Sequence, residues 1–538
     1  MDNCLNITLA QVDALLGDLK LNSDKILSVW KDADDHSHMV VFPELSLSGY
    51  PPEDLLLRVD FLKACMEQLN SISKASEGFR SLAVLGTPYY DGELYNSLAV
   101  IGKGRILGVY HKMFLPNYSV FDEKRYFKRG REGFILSFKG STIGFSICED
   151  IWHPDGIERS YAVLGADVLV NINASPYYRG KYQFKEAFLK ARAEDNLCYL
   201  VYVNLVGGQD ELVFDGRSLV VDPEGKVIAR AKAFEEDALT VSLEIEKVRR
   251  KRLTDLRLRE SSANYSVNKF SFYDYRKLTC VAPRLEKSPE GEEEVYKALT
   301  LGIGSYVRKN NFEKVVLGLS GGIDSSLVAC LAVDAVGERR VIGLFMPSSV
   351  TSKESCEDVE SLTKSLGIEL YSVTISNVFE SSVGELKKVF GFSDFTVADE
   401  NIQARIRSNV LFYLSNKYGW LVLSTSNKSE TAVGYTTIYG DMAGGFTPLK
   451  DVYKTDVYRL AYYRNTIKSD IPERVFKKPP SAELRYGQTD QDVLPPYHTL
   501  DSILRLYIEE GVSKESLVED YGFEKDTVEK VIKMIRSA

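Results

Sequence analysis

The chain has 538 residues, 44% hydrophobic and 27% charged, which is too long for one core and points to two large globular domains. A formal net charge of −9 argues against a general nucleic-acid binder, which needs a basic face, and leaves room only for a local basic groove. No apolar stretch reaches the roughly 20 residues of a membrane helix, so no membrane partner is expected.

The predicted elements begin with strand-like apolar runs at 5–10, 39–42, 82–86, 97–101, 144–147, 168–172 and 199–204. A hairpin is expected at 218–221 and 226–229, split by Asp222-Pro223-Glu224-Gly225. Helical patterns lie near 20–33, 58–74, 157–165 and 181–195. Residues 1–245 thus read as one α/β domain. Residues 246–290 read as a connector that partly packs as a helix, with a basic run at 247–259 taken as a solvated helix face. Residues 291–538 read as a second domain in which strands 315–320, 341–346, 369–374 and 420–424 alternate with helices 325–336, 352–366, 376–389 and 399–418. That order predicts a doubly wound parallel sheet with ligands beyond the carboxyl ends of its strands. Residues 466–498 read as a long polar loop, a candidate lid.

Seven cysteines (4, 65, 148, 198, 280, 330 and 356) lie scattered without a C-x-x-C pair. They predict a reducing cytoplasm, with neither disulfide frame nor zinc site. His36 and His38 read as part of a solvated loop. The opening residues lack a basic segment followed by an apolar one, so no signal peptide is expected.

The most specific string is Ser320-Gly321-Gly322-Ile323-Asp324-Ser325, directly after the apolar run 315–319. A strand entering a glycine turn and leaving as a helix presents backbone N–H groups that suit phosphates. It is not a Walker loop, because no G-x-x-x-x-G-K-[ST] is present. S-G-G-x-D-S resembles the pyrophosphate loop of the ATP pyrophosphatases, which adenylate a substrate oxygen. The resemblance implies ATP contacts at Gly318, Leu319, Ser320, Gly321, Gly322, Ile323, Asp324 and Ser325. ATP carries several charges, so Mg²⁺ is expected on Asp324 and Glu430.

In the first domain, Glu44 lies in Phe42-Pro43-Glu44, Lys112 in Tyr110-His111-Lys112, and Cys148 in Ile147-Cys148-Glu149-Asp150. Separately each has a bland explanation. Together, in this order and with Ala10-Gln11, Gly17-Asp18 and Asn22, they resemble the Glu-Lys-Cys triad of the nitrilase (carbon–nitrogen hydrolase) superfamily. That resemblance implies an αββα sandwich, a Cys148 nucleophile, Glu44 as general base and Lys112 at the oxyanion. It further implies glutamine contacts at Tyr118, Ser175 and Lys181.

An ammonia-releasing amidase ahead of an adenylating domain resembles the family of glutamine-dependent NAD synthetases, over almost the whole chain. Met346-Pro347-Ser348, the run 400–407, the run 423–430, Gly440-Asp441 and the run 448–454 match family strings. By resemblance Thr425 meets ATP, while Asn401, Arg405, Glu430 and Asp441 meet deamido-NAD. Lys454 is a candidate for phosphate charge, with a surface lysine as the alternative. The family implies glutamine, ATP and deamido-NAD as substrates and a homo-oligomer. Its basic carboxyl-terminal tail has no counterpart after Ala538, so Lys477 or Lys478 are candidates to replace a lost contact. Two rivals remain. One is another glutamine-dependent ATP pyrophosphatase, although no glycine-elbow or amino-terminal cysteine glutaminase is visible. The other is a metabolite sensor that keeps the folds without turnover.

Overall fold

The computed structural model describes residues 4–538, which form two compact units divided at Pro289 and Glu290.

The first unit stacks two sheets. One has six strands in the order Asp237–Glu244, Cys4–Gln11, Met39–Val41, Leu82–Tyr90, Leu94–Gly102 and Arg105–His111. The other has seven, in the order Val227–Arg230, Leu219–Val221, Tyr199–Asn204, Val168–Asn173, Ser141–Ile147, Gly133–Phe138 and Val267–Phe272. Period-two alternation sorts the side chains. Ile7, Leu9, Val41 and Val84 meet Ile135, Phe145, Val170 and Val201 between the sheets. Ala10, Val40, Phe42 and Leu85 point the other way, onto Trp30 of helix Leu19–Ala33 and Leu69 and Ile72 of helix Val59–Ala75. Helices Ile157–Val163 and Lys181–Asn196 belong to the second sheet's side, so the unit is an αββα sandwich.

The second unit holds a four-stranded parallel sheet in the order Glu369–Ser372, Val341–Phe345, Val315–Leu319, Leu421–Leu423. The chain order runs outward in both directions from Val315–Leu319, so the switch point lies between that strand and Leu421–Leu423. A crevice opens there at the carboxyl ends. Helices Gly291–Lys309, Ile323–Val336 and Lys454–Ile467 pack together beside the sheet, and helices Tyr497–Leu504, Lys514–Glu519 and Lys525–Ser537 close over a small core of their own.

Three expectations are corrected by the structure. The stretch 246–289 is part of the first unit. Helix Ile245–Thr254 buries Ile245 and Val248, and Val267–Phe272 adds a parallel edge strand beside Gly133–Phe138. His38 is buried, not solvated. Its Nδ1 accepts the Asn6 N–H at 2.9 Å, leaving Nε2 to donate to the Arg276 carbonyl at 3.0 Å, and burial pulls its pKa down to about 4. Cys4 and Cys280 form a disulfide across 276 residues, with Cα atoms 5.9 Å apart. The chain returns along the first strand there, where Asn6 Nδ2 donates to the Thr279 carbonyl at 3.0 Å and the Val281 N–H to Ser242 Oγ at 2.7 Å. Scattered spacing hides such a pair because it depends on residues 279–281 coming back beside the first strand. The expected lid, 466–498, runs from the end of helix Lys454–Ile467 to the start of helix Tyr497–Leu504 and contains the short helix Glu473–Lys477 and a 3-10 turn at Asp490–Asp492.

Cys280→Ser is expected to lower stability by about 2–4 kcal/mol in the absence of reductant and to match the parent once reductant is present. Equal melting of parent and variant without reductant would show that the cross-link contributes nothing. A second expectation concerns Glu158, buried in helix Ile157–Val163, whose carboxyl is pushed up from 4.5 to about 8 by burial and then by the charge of Asp150. The native state holds a proton there that the unfolded chain releases, so stability falls as pH rises across that window. Glu158→Gln should flatten this limb of the stability–pH curve, and a variant curve parallel to the parent's would refute it.

Candidate active sites

In the first unit, Glu44 follows strand Met39–Val41 on a loop pressed against strand Leu82–Tyr90. A Cβ on Gly86 would stand 2.3 Å from the Pro43 carbonyl and 2.4 Å from the Leu45 nitrogen, so only glycine permits this approach. Lys112 follows strand Arg105–His111, and Cys148 ends strand Ser141–Ile147. Cys148 takes φ +44°, a left-handed conformation costly for a residue with a side chain, and opens a short 3-10 turn over Cys148–Trp152.

The three side chains converge in a buried site, at 0% exposure for Glu44, 1% for Lys112 and 5% for Cys148. Lys112 Nζ donates to Glu44 Oε1 at 2.7 Å and to Glu123 Oε1 at 2.8 Å. Glu44 also accepts from Asn96 Nδ2 at 2.7 Å and from the Ala174 N–H at 2.9 Å. Burial disfavours the Lys112 ammonium, but Glu123 and Glu44 more than offset it, so Lys112 stays charged. Burial and then the charge of Glu44 push the Cys148 thiol up, against the pull of Lys112, so the resting sulfur is a neutral thiol. A neutral thiol needs a base before it can attack.

Glu123 carries no signal in the sequence. It sits in the polar string Asp122-Glu123-Lys124-Arg125, where nothing local marks it as buried. Burial, opposed by Lys112 and reinforced by Glu44, raises its carboxyl to about 7, and Tyr50 OH donates to it at 3.1 Å.

The expected glutamine contacts occupy the surrounding loops. Ser175 is buried one residue past Ala174 and donates its N–H to Asn204 Oδ1 at 2.8 Å. Tyr118 is 56% exposed and donates to Glu149 Oε2, beside Cys148, at 2.9 Å. Lys181 starts helix Lys181–Asn196, donates to the Pro176 carbonyl at 2.7 Å, and has its pKa pulled down to about 8 by burial and by Lys185.

In the second unit the switch-point crevice is a cavity of about 420 Å³. Gly318, Leu319, Ser320, Gly322, Ile323, Asp324, Ser325 and Thr425 line it, as do Asn401, Glu430 and Asp441. Gly321 does not line it. Its φ is +76°, and a Cβ added to it would stand 2.9 Å from Ser355 Cα, so this residue makes the turn itself. Arg405 is also outside the lining, exposed, with Nε on the Ile438 carbonyl at 3.2 Å.

Lys454 is no surface lysine. It is buried with Nζ 2.6 Å from Asp324 Oδ2 and 2.8 Å from Glu430 Oε1. Burial alone would discharge it, but Asp324 and Glu430 hold it protonated, while burial pushes the Glu430 carboxyl up. Asn427 Nδ2 fixes the other Asp324 oxygen at 2.9 Å. Two oxygen donors meeting at the phosphate loop fit a hard divalent cation whose remaining ligands come from phosphate and water. Among the described residues no cluster of three or more His, Cys, Asp or Glu could hold a metal ion. Lys478 lines the cavity and pairs with Glu483 at 2.6 Å, whereas Lys477 is exposed on Glu473.

Two family models match the chain, carbon–nitrogen hydrolase over residues 6–253 and NAD synthase over residues 295–538. The glutamine-dependent NAD(+) synthetase of Aquifex aeolicus is 59% identical over 99% of this chain and 94% of its own length. That of Thermotoga maritima is 48% identical over 99% and 93%. The solved structure of the glutamine-dependent NAD+ synthetase of Acinetobacter baumannii in complex with ADP superposes with a TM-score of 0.78 at 37% identity, covering 99% of this chain and 93% of that one. With both domains matched in the same order, the chain belongs to the glutamine-dependent NAD(+) synthetase family.

Proposed function

We propose that this chain makes NAD from deamido-NAD, glutamine and ATP, releasing glutamate, AMP and pyrophosphate. The observation that carries the reading is that both kinds of site occur on one chain: a neutral thiol with a Lys112–Glu44 pair, and a phosphate loop with two carboxylates on Lys454. It supports an enzyme over a sensor, and the nitrilase-type glutaminase separates it from other glutamine-dependent ATP pyrophosphatases.

Glu44 takes the Cys148 proton as sulfur attacks the glutamine carboxamide carbon. Lys112 stabilises the oxyanion, and the intermediate collapses to a thioester as ammonia leaves with the proton from Glu44. Glu44 then activates water to release glutamate. Tyr118, Ser175 and Lys181 hold glutamine, with Lys181 drawn back to full charge by the substrate carboxylate.

In the second unit the glycine turn and the start of helix Ile323–Val336 hold the ATP phosphates, with Thr425 also on ATP. A deamido-NAD carboxylate oxygen attacks the α-phosphorus and pyrophosphate departs. Ammonia then attacks the acyl-adenylate carbonyl, forming the amide and releasing AMP. Asn401, Glu430 and Asp441, which line the cavity, are assigned to deamido-NAD, whereas Arg405, outside the lining, would have to leave the Ile438 carbonyl to reach it. Asp324 and Glu430 would hold Mg²⁺, which supplies charge neutralisation at the phosphates. Lys454, released from these carboxylates, is then placed to meet phosphate charge. By family resemblance the enzyme is a cytoplasmic homo-oligomer.

Cys148→Ala is expected to cut glutamine-supported NAD formation by on the order of 10³-fold or more while leaving ammonium-supported formation intact. Loss of both, in folded protein, would sink the division of labour. Asp324→Asn and Glu430→Gln should each lower ammonium-supported synthesis roughly 10²-fold and raise the Mg²⁺ concentration needed. An unchanged Mg²⁺ requirement would remove them as ligands.

A further inference from the structure

Beside the glutaminase site lies a buried carboxylate that takes no step in the chemistry above and touches neither the Glu44 nor the Lys112 side chain. Asp150 is fully buried, two residues past Cys148. Its Oδ1 accepts the backbone N–H groups of Met113 at 3.0 Å and Phe114 at 2.9 Å, the two residues directly after Lys112. Its Oδ2 accepts the N–H of Ile147, directly before Cys148, at 2.9 Å, and the phenol of Tyr110, two residues before Lys112, at 2.7 Å. One side chain therefore grips the segment that carries the oxyanion cation and the strand end that carries the nucleophile.

We propose that Asp150 is a positioning residue for glutamine hydrolysis, a bracket that sets the distance between Cys148 Sγ and Lys112 Nζ. This role rests on the assignment of the Glu44–Lys112–Cys148 triad. The two segments come from different strands, in different sheets. Sheet packing positions them only as well as two apolar faces can, and apolar packing is tolerant of small slides. Hydrogen bonds from four donors to a single rigid carboxylate are directional, and a charged acceptor strengthens them. Cys148 also needs restraint from its left-handed backbone, and the bond from the Ile147 N–H to Asp150 closes the turn that keeps it there. A misplacement of about 1 Å between reacting groups can cost on the order of 10²-fold in rate.

Both Asp150 oxygens are taken up by these protein donors, so its loss should appear in kcat and spare KM. Asp150→Asn keeps the shape but sets an NH₂ group against N–H donors on one side of the bracket. Asp150→Ala removes both sides. Tyr110→Phe removes one donor and leaves the three backbone bonds.

The test measures glutamine hydrolysis and ammonium-supported NAD formation in the full-length protein, for the parent, these three variants and Cys148→Ala. Activity is counted per native molecule from the near-ultraviolet circular dichroism amplitude. Expected is a fall in kcat of about tenfold or more for Asp150→Asn, a larger fall for Asp150→Ala, and Tyr110→Phe within about threefold of the parent. KM for glutamine should stay within about twofold and ammonium-supported synthesis unchanged throughout. Parent-like kcat per native molecule in Asp150→Asn and Asp150→Ala overturns the assignment, as does a KM that rises while kcat holds. If either variant fails to fold, Asp150→Glu, which keeps the charge but shifts the oxygens by one methylene, is read by the same criteria. Persistent glutamine hydrolysis in Cys148→Ala would instead overturn the triad itself, which separates that failure from the failure of the bracket.

Discussion

An ammonium ion cut off from water and shared by two carboxylates is the constraint around which the first unit is organised. Lys112 between Glu44 and Glu123 would be prohibitively costly to bury alone, and either carboxylate would be costly without it. The arrangement holds because further donors, from Asn96, Tyr50 and the Ala174 backbone, reach the same carboxylates. The closeness of the Glu44 loop to Gly86, and the burial of both sheets, follow from the need to deliver these groups to one dry point. Under the proposed mechanism, that low dielectric would stabilise a developing oxyanion beside Lys112 far more than water does.

The second unit solves a related problem with the same chemistry. Lys454 neutralises Asp324 and Glu430 at a crevice lined by the phosphate loop. Tyr497 links Glu430 to Asp490 through bonds of 3.1 and 2.7 Å, so the carboxylates belong to a network and not to a single pair. The strand order puts this network at the switch point, where a crevice is a geometric necessity of a sheet wound in both directions.

Residues whose role is encoded by immediate chain context are legible in the sequence. The S-G-G-x-D-S turn declares itself because a strand, two glycines and a helix start are local events. Glu44, Lys112 and Cys148 are legible only together, as a triad in family order, since each alone has a bland explanation. Glu123 and Asp150 are not, because their meaning lies in contacts made far along the chain, 73 residues away for Glu123 with Tyr50 and 40 for Asp150 with Tyr110. His38 and the edge strand Val267–Phe272 escape sequence reasoning for the same reason: each is defined by a neighbour that arrives from far off, Arg276 and Gly133–Phe138 respectively. Strand Asp237–Glu244 does alternate, with Leu239, Val241 and Leu243 buried, but its acidic ends mask the period.

The left-handed backbone at Cys148 carries a consequence for stability. Glycine is the residue most at ease at φ +44°, and a serine or alanine there inherits the same steric strain without the sulfur. Under the proposed triad, a glycine at this position would relieve the backbone and remove the proposed nucleophile together. Conformational ease and the proposed chemistry therefore pull this one position in opposite directions.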